Sequence, residues 1–216
     1  MISVEALLFD LDGTLIDSKR DLASAIQFLQ KSYRAPVSTE NQVATYIGDG
    51  VVKLVQRALP RLAEKDVEEA VSAFKHYYRQ HCVDHTRLYP GVLATLKHFQ
   101  KKKMAVVTNK PVRISGYILE QLGLASFFKV LVGGDSLPNK KPHPEPVLSA
   151  LHTMAIDKPR RAVMIGDGPN DIESGRAAGT YTCSISSNIG NTHKNVSKSK
   201  PDYSISSMKE LMRIFN

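Results

Sequence analysis

The chain has 216 residues, 42% of them hydrophobic and 23% charged, a composition that supports a packed core and excludes wholesale disorder. No apolar run approaches the roughly 20 residues needed to cross a bilayer. The two cysteines, Cys82 and Cys183, fit no metal spacing and are expected as reduced thiols. The formal net charge of +8 favours anionic partners without choosing among them.

The densest basic run, Lys101-Lys102-Lys103, ends an amphipathic segment, where it suits a solvated helix C-terminus. No interleaved aromatics or nucleic-acid motif accompany it, so neither nucleic acid nor a membrane is expected as a partner. Glu5 stands where a signal peptide would carry a basic segment, and a cytoplasmic location is the default expectation.

The first predicted element is a strand over Ala6-Leu7-Leu8-Phe9, which runs into Asp10-Leu11-Asp12-Gly13-Thr14. A strand places residues i and i+2 on one side, so Asp10 and Asp12 can converge on a single reacting group if the extended geometry persists. Gly13 then permits a sharp turn. Two adjacent carboxylates repel unless a cation or a shared proton intervenes, so the pair points to a divalent metal, a raised pKa, or both. The alternative is a solvated Asp-Gly turn after an edge strand.

From residue 17 to 87 the periodicity is helical. Leu22, Ala25, Ile26 and Leu29 form one stripe, Val51, Leu54, Val55 and Ala58 a second, and Val67, Ala70, Val71, Phe74 and Tyr77 a third. No strand is expected there. Within the insertion, Gly48 lies in a glycine-flanked turn that enters a helix, and its free amides with Lys53 or Arg57 could receive a substrate carboxylate. Tyr89-Pro90-Gly91 marks the return.

Strands are predicted next at Met104–Val107, Val130–Val132, Ala162–Ile165 and Thr180–Ile185, separated by helical spacing such as Ile114, Ile118, Leu119 and Leu122 before Gly123. This alternation implies a three-layer Rossmann-like α/β core with a parallel sheet. The domains expected are an α/β core over 1–16 and 88–216 and a helical cap over 17–87. Ligands of open parallel sheets bind beyond the strand C-termini, so the insertion should lie over the carboxylates as a lid.

The other strand ends supply the chemistry the first lacks. Thr108-Asn109-Lys110-Pro111 offers a hydroxyl and backbone N–H groups for phosphate oxygens, although Thr108 would also serve as a helix cap. Lys141, in Lys140-Lys141-Pro142-His143-Pro144-Glu145-Pro146, can neutralise phosphate and hold a carboxylate ionised. Gly166-Asp167-Gly168-Pro169-Asn170-Asp171 places Asp167 at a turn as a metal ligand and Asp171 at a helix start, where it could orient a metal-bound water or the lysine. Oxygen-only ligands select magnesium. Ser186 to Lys200, with Lys194 and Lys198, is a compositionally biased surface loop.

Together Asp10-Leu11-Asp12-Gly13-Thr14, Thr108, Lys141 and Gly166-Asp167 with Asp171 resemble the ordered motifs of the haloacid dehalogenase superfamily over nearly the whole chain. Val107-Thr108-Asn109-Lys110-Pro111, Lys141-Pro142-His143-Pro144-Glu145-Pro146 and Gly175-Arg176-Ala177-Ala178-Gly179 look most like its phosphoglycolate phosphatase group. The resemblance implies that Asp10 attacks phosphorus to form an aspartyl-phosphate and that Asp12 carries the proton. Asp10, the Asp12 carbonyl and Asp167 would hold Mg²⁺, with Asp171 behind them, while Thr108, Asn109 and Lys141 bind the phosphoryl group. The substrate is then a small phosphorylated metabolite such as 2-phosphoglycolate, with Gly48 and Lys53 as cap contacts, in a monomer or homodimer.

The acid at position 12 argues against a dehalogenase, whose halide leaving group needs no proton. Thr108-Asn109-Lys110 differs from the Ser-rich second motif of beta-phosphoglucomutase. A response-regulator receiver is shorter and carries its phosphoacceptor on a middle strand. A binding protein that kept the fold without turnover is a further alternative. Phosphatases of other specificity, for sugar phosphates, pyrophosphate or nucleotides, stay open, since Ser187-Asn188-Ile189-Gly190-Asn191 replaces an aromatic-glycine-aromatic loop found in many of the phosphoglycolate enzymes.

Overall fold

The computed structural model describes residues 1–186 and 199–216. The Ser187–Asn191 segment, Lys194 and Lys198 lie outside the described residues. The chain folds as two compact units, Met1–Ile16 with Leu88–Asn216, and Asp17–Arg87.

The chain begins with β1 (Ala6–Phe9), makes the aspartate turn, and leaves the first unit through β2 (Ile16–Asp17). That short strand pairs with β3 (Arg87–Leu88), where the chain returns. Two residues carry no periodicity, which is why no strand is read there from sequence.

The second unit holds α1 (Lys19–Ser32), α2 (Glu40–Ala44), α3 (Val51–Ala58) and α4 (Val67–His81). The predicted stripes pack inward: Leu22, Ala25, Ile26 and Leu29 of α1, Leu54, Val55 and Ala58 of α3, and Ala70, Val71 and Phe74 of α4 are buried. One position shifts, because a 3.6-residue period continues Phe74 equally well to 77 or 78. Tyr78 is the buried residue, and Tyr77 instead stacks on Phe28 with ring centroids 4.3 Å apart. Within this unit the buried Asp21 accepts from the backbone N–H of His85 at 3.0 Å, from the Thr86 N–H at 2.8 Å and from the Thr86 hydroxyl at 2.7 Å.

The remaining elements alternate: α5 (Val92–His98), β4 (Lys103–Val107), α6 (Val112–Gln121), β5 (Val130–Val132), α7 (Glu145–Thr153), β6 (Ala162–Gly166), α8 (Pro169–Ala177), β7 (Tyr181–Ile185), β8 (Tyr203–Ile205) and α9 (Leu211–Ile214). Six strands form one parallel sheet in the order β5-β4-β1-β6-β7-β8. The α/β reading of the sequence holds. Successive strand residues face opposite sides, and every residue of β1 is fully buried, so both faces of the sheet are covered. On one face Ala6, Leu8, Ala105, Val107 and Met164 pack with Val147, Ala150 and Leu151 of α7.

The sequence reading missed β8, an edge strand of three residues of which only Ile205 is buried. It also placed the Lys101–Lys103 run at a solvated helix end. The helix ends earlier, at His98, and the Lys102 ammonium donates to the Val4 carbonyl at 2.8 Å while that of Lys103 donates to the Met154 carbonyl at 2.6 Å. The run closes backbone acceptors at the start of β4, which leaves less of it for an anionic partner.

Candidate active site

Register brings the chemical groups together. Phe9 of β1 is level with Val106 of β4 and Ile165 of β6, so the segments leaving these three adjacent strands emerge side by side. Those segments begin at Asp10, Thr108 and Asp167. The Asp10 amide continues the ladder by donating to Ile165 at 2.9 Å, and that of Thr108 donates to Val132 at 2.9 Å.

Lys141 enters from the loop before α7 and ties the set together. Its ammonium lies 2.7 Å from Asp10 Oδ1, 2.6 Å from Asp171 Oδ1 and 2.5 Å from the Val107 carbonyl, with Lys141 only 3% exposed. Burial disfavours its charge, but the carboxylates of Asp10 and Asp171 outweigh burial and raise its pKa. Asp171 uses its other oxygen to accept from the Gly168 amide at 3.0 Å, capping α8. The two sequence readings of Asp171, as helix cap and as partner of the lysine, are therefore compatible.

Carboxylate oxygens of Asp10, Asp167 and Asp171 all lie within 4.8 Å of one another. Burial, only partly offset by Lys141, pushes the Asp10 carboxyl up to about 6. Burial and the charges of Asp10 and Asp171 push Asp167 well above the usual carboxylate range. Three crowded acids, two of them on one ammonium, fit a divalent cation, which would relieve that repulsion, and an all-oxygen donor set fits Mg²⁺. Asp12 is not in this cluster through its side chain; its carboxylate turns to Lys110, whose Nζ is 3.0 Å from each of its oxygens.

The turn after β1 is shaped by Asp167. Gly13 has φ +87°, and a Cβ there would sit 2.3 Å from Asp167 Oδ2. The Thr14 hydroxyl donates to Asp167 Oδ1 at 3.0 Å. The role of Thr14 was not read from the sequence, although its place at the end of the aspartate motif was a signal.

Thr108 is 5% exposed, and its hydroxyl accepts from the Lys110 amide at 3.3 Å. It does not cap α6. That helix is capped instead by Asp135, which accepts from the Val112 amide at 2.7 Å and comes from the segment after β5. Asn109 is buried, and its side-chain amide donates to the Lys141 carbonyl at 2.9 Å, which fastens the lysine loop to the end of β4.

Gly48 and Lys53 belong to the second unit. Gly48 has φ +118° in the turn before α3 and Lys53 is exposed in the first turn of that helix. Arg57, the alternative cation, bonds the Tyr46 carbonyl at 2.9 Å and the Asp49 carboxylate, and so fixes the turn from within.

A family model described as haloacid dehalogenase-like hydrolase matches residues 7–185. The chain belongs to this family. Among the haloacid dehalogenase-like hydrolases, it is 37% identical over 216 residues to the phosphoglycolate phosphatase of Chromobacterium violaceum, covering 96% of this chain and 95% of the relative. It is 40% identical over 181 residues to that of Aquifex aeolicus, covering 83% of each. A crystal structure described as a predicted phosphoglycolate phosphatase from Haemophilus somnus superposes with a TM-score of 0.91 at 33% identity, over 99% of both chains. No helix among the described residues is long and apolar enough to cross a membrane.

Proposed function

We propose that this protein is a Mg²⁺-dependent phosphatase that hydrolyses a small phosphorylated metabolite, with 2-phosphoglycolate as its preferred substrate. The observation that carries this reading is Asp10, a buried carboxylate aligned by Lys141 beside Asp167, in a chain similar over almost its entire length to enzymes named for that reaction.

Asp10 is the nucleophile. Its free oxygen attacks phosphorus, giving an aspartyl-phosphate and expelling the substrate's alkoxide, so one difficult displacement becomes two easier ones. Asp12 delivers a proton to the departing oxygen, then removes one from the water that hydrolyses the intermediate. Lys141, Thr108 and the backbone N–H groups that follow β4 hold the phosphoryl oxygens. Asn109 keeps Lys141 in place. Asp10, the Asp12 carbonyl and Asp167 would hold Mg²⁺, with Asp171 orienting the lysine behind them, and the ion would neutralise charge on the phosphoryl group. Gly48 and Lys53 of the helical unit are assigned to the organic part of the substrate.

The test is phosphate release across a panel of phosphorylated metabolites, with Asp10→Asn as control. The expected result is Mg²⁺-dependent, repeated turnover, fastest with 2-phosphoglycolate and abolished in the variant. Equal turnover of sugar phosphates, pyrophosphate and nucleotides would overturn the substrate assignment, and an active Asp10→Asn protein would overturn the nucleophile.

A further inference from the structure

We propose that Lys110 is the positioning residue of the proton carrier Asp12, a role that rests on the phosphatase reading above. Each aspartate of the pair has its own lysine: Lys141 on Asp10, and Lys110 on Asp12. The Lys110 ammonium reaches across from the end of β4 to the adjacent end of β1 and contacts both carboxylate oxygens at 3.0 Å. Held at both oxygens, the carboxylate cannot rotate freely about its last bond.

Two features separate this from an ordinary ion pair. The side chains are 5% and 14% exposed, so the charges are largely removed from water. Burying such a pair is weak support for stability, because desolvation offsets the attraction, and ordering a lysine costs side-chain entropy.

The lysine also starts from a fixed base. Its carbonyl accepts from the Gly134 amide at 2.9 Å, and a Cβ on Gly134 would lie 2.2 Å from the Asn109 carbonyl, so the two segments are in direct backbone contact. Asn109 fastens the same segment to Lys141. The loops that carry the two lysines are thus tied to each other through Asn109, the neighbour of Lys110.

During reaction Lys110 exchanges no proton. In the first step the Asp10–phosphorus bond forms, the phosphorus–alkoxide bond breaks, and the proton of Asp12 passes to the alkoxide. In the second step water oxygen bonds phosphorus, the Asp10–phosphorus bond breaks, and Asp12 takes the water's proton. Lys110 keeps the Asp12 carboxyl aimed at the place both oxygens occupy.

The experiment compares kcat/KM, which reports the steps through alkoxide release, for 2-phosphoglycolate and 4-nitrophenyl phosphate in Lys110→Met, Lys110→Arg and Asp12→Asn. Nitrophenolate leaves without help from an acid, whereas an alkoxide needs the proton. Lys110→Met is expected to lose about 10²-fold on phosphoglycolate and less than about threefold on the nitrophenyl ester. Lys110→Arg should recover most of the difference. Mg²⁺ affinity by calorimetry should be unchanged, and a crystal structure of Lys110→Met should show the Asp12 carboxylate turned away. Lys110→Gln serves the same comparison if the methionine variant does not fold.

Equal losses on both esters, or none, would overturn the role of Lys110. If Asp12→Asn itself lacks the leaving-group dependence, the proton-carrier reading fails and the proposal falls with it. If Asp12→Asn shows it and Lys110→Met does not, only the proposal fails.

Discussion

Replacing Asp10 with Asn should stabilise the metal-free protein while abolishing its turnover. The carboxyl of Asp10 is pushed from 3.8 to about 6, with burial as the main cause, so at neutral pH its ionised form is about 3 kcal/mol less favourable in the folded chain than in the unfolded one. Asn keeps an oxygen for Lys141 and stands in for the protonated acid, removing that penalty. For a chain of this length, about 3 kcal/mol corresponds to a rise in Tm of about 6–12 °C. The sign with pH follows from the raised value. The native carboxyl stabilises the fold most fully below 3.8 and loses this contribution as pH rises through about 6, so the variant's advantage should be full above 6 and vanish near 4. Mg²⁺ should narrow the gap by binding the native cluster more tightly. Circular-dichroism melts in chelator and in excess Mg²⁺, at both pH values, provide the assay. A variant no more stable than the native chain in chelator at neutral pH would refute the account of a strained carboxylate cluster.

Two further outcomes concern other parts of the chain. Gly13→Ala should cost about 1–2 kcal/mol from its positive φ alone, and the collision of the new methyl with Asp167 should weaken Mg²⁺ binding at least tenfold, measured by calorimetry; native affinity would contradict the geometry. Asp21→Ala should destabilise the helical unit by about 3 kcal/mol in urea unfolding, since it strands the two buried donors of Thr86 and removes the partner of the His85 amide. Burial alone would raise the Asp21 pKa, but hydrogen bonds from His85 and Thr86 outweigh it and lower the value, so the native residue's contribution is complete above 3.8 and fades as pH falls below it. A loss of stability in Asp21→Ala that persists unchanged in strong acid would contradict this.

Much of the core was legible because its signals are local. The strand at Ala6–Phe9 is an apolar run of strand length ending in turn chemistry, and the later strands share that pattern. The α1 stripe was equally clear, since Leu22, Ala25, Ile26 and Leu29 leave one choice of face. Strand order, by contrast, is a tertiary property. Nothing near Lys110 says that β4 lies beside β1, so its pairing with Asp12 could not be read from either segment alone. The same holds for Asp135, which caps a helix beginning 23 residues earlier. The Asn109 contact was hidden for another reason: an amide at a strand end suits phosphate and a loop carbonyl equally, and only the fold brings the Lys141 carbonyl within reach.

The paired crossings β2 and β3, together with the bonds from Asp21 to His85 and Thr86, join the two ends of the helical unit to each other. A segment whose entrance and exit are already sutured is closed on itself before it rejoins the host chain. It can lengthen, be exchanged for another or diverge while the host strands keep their register.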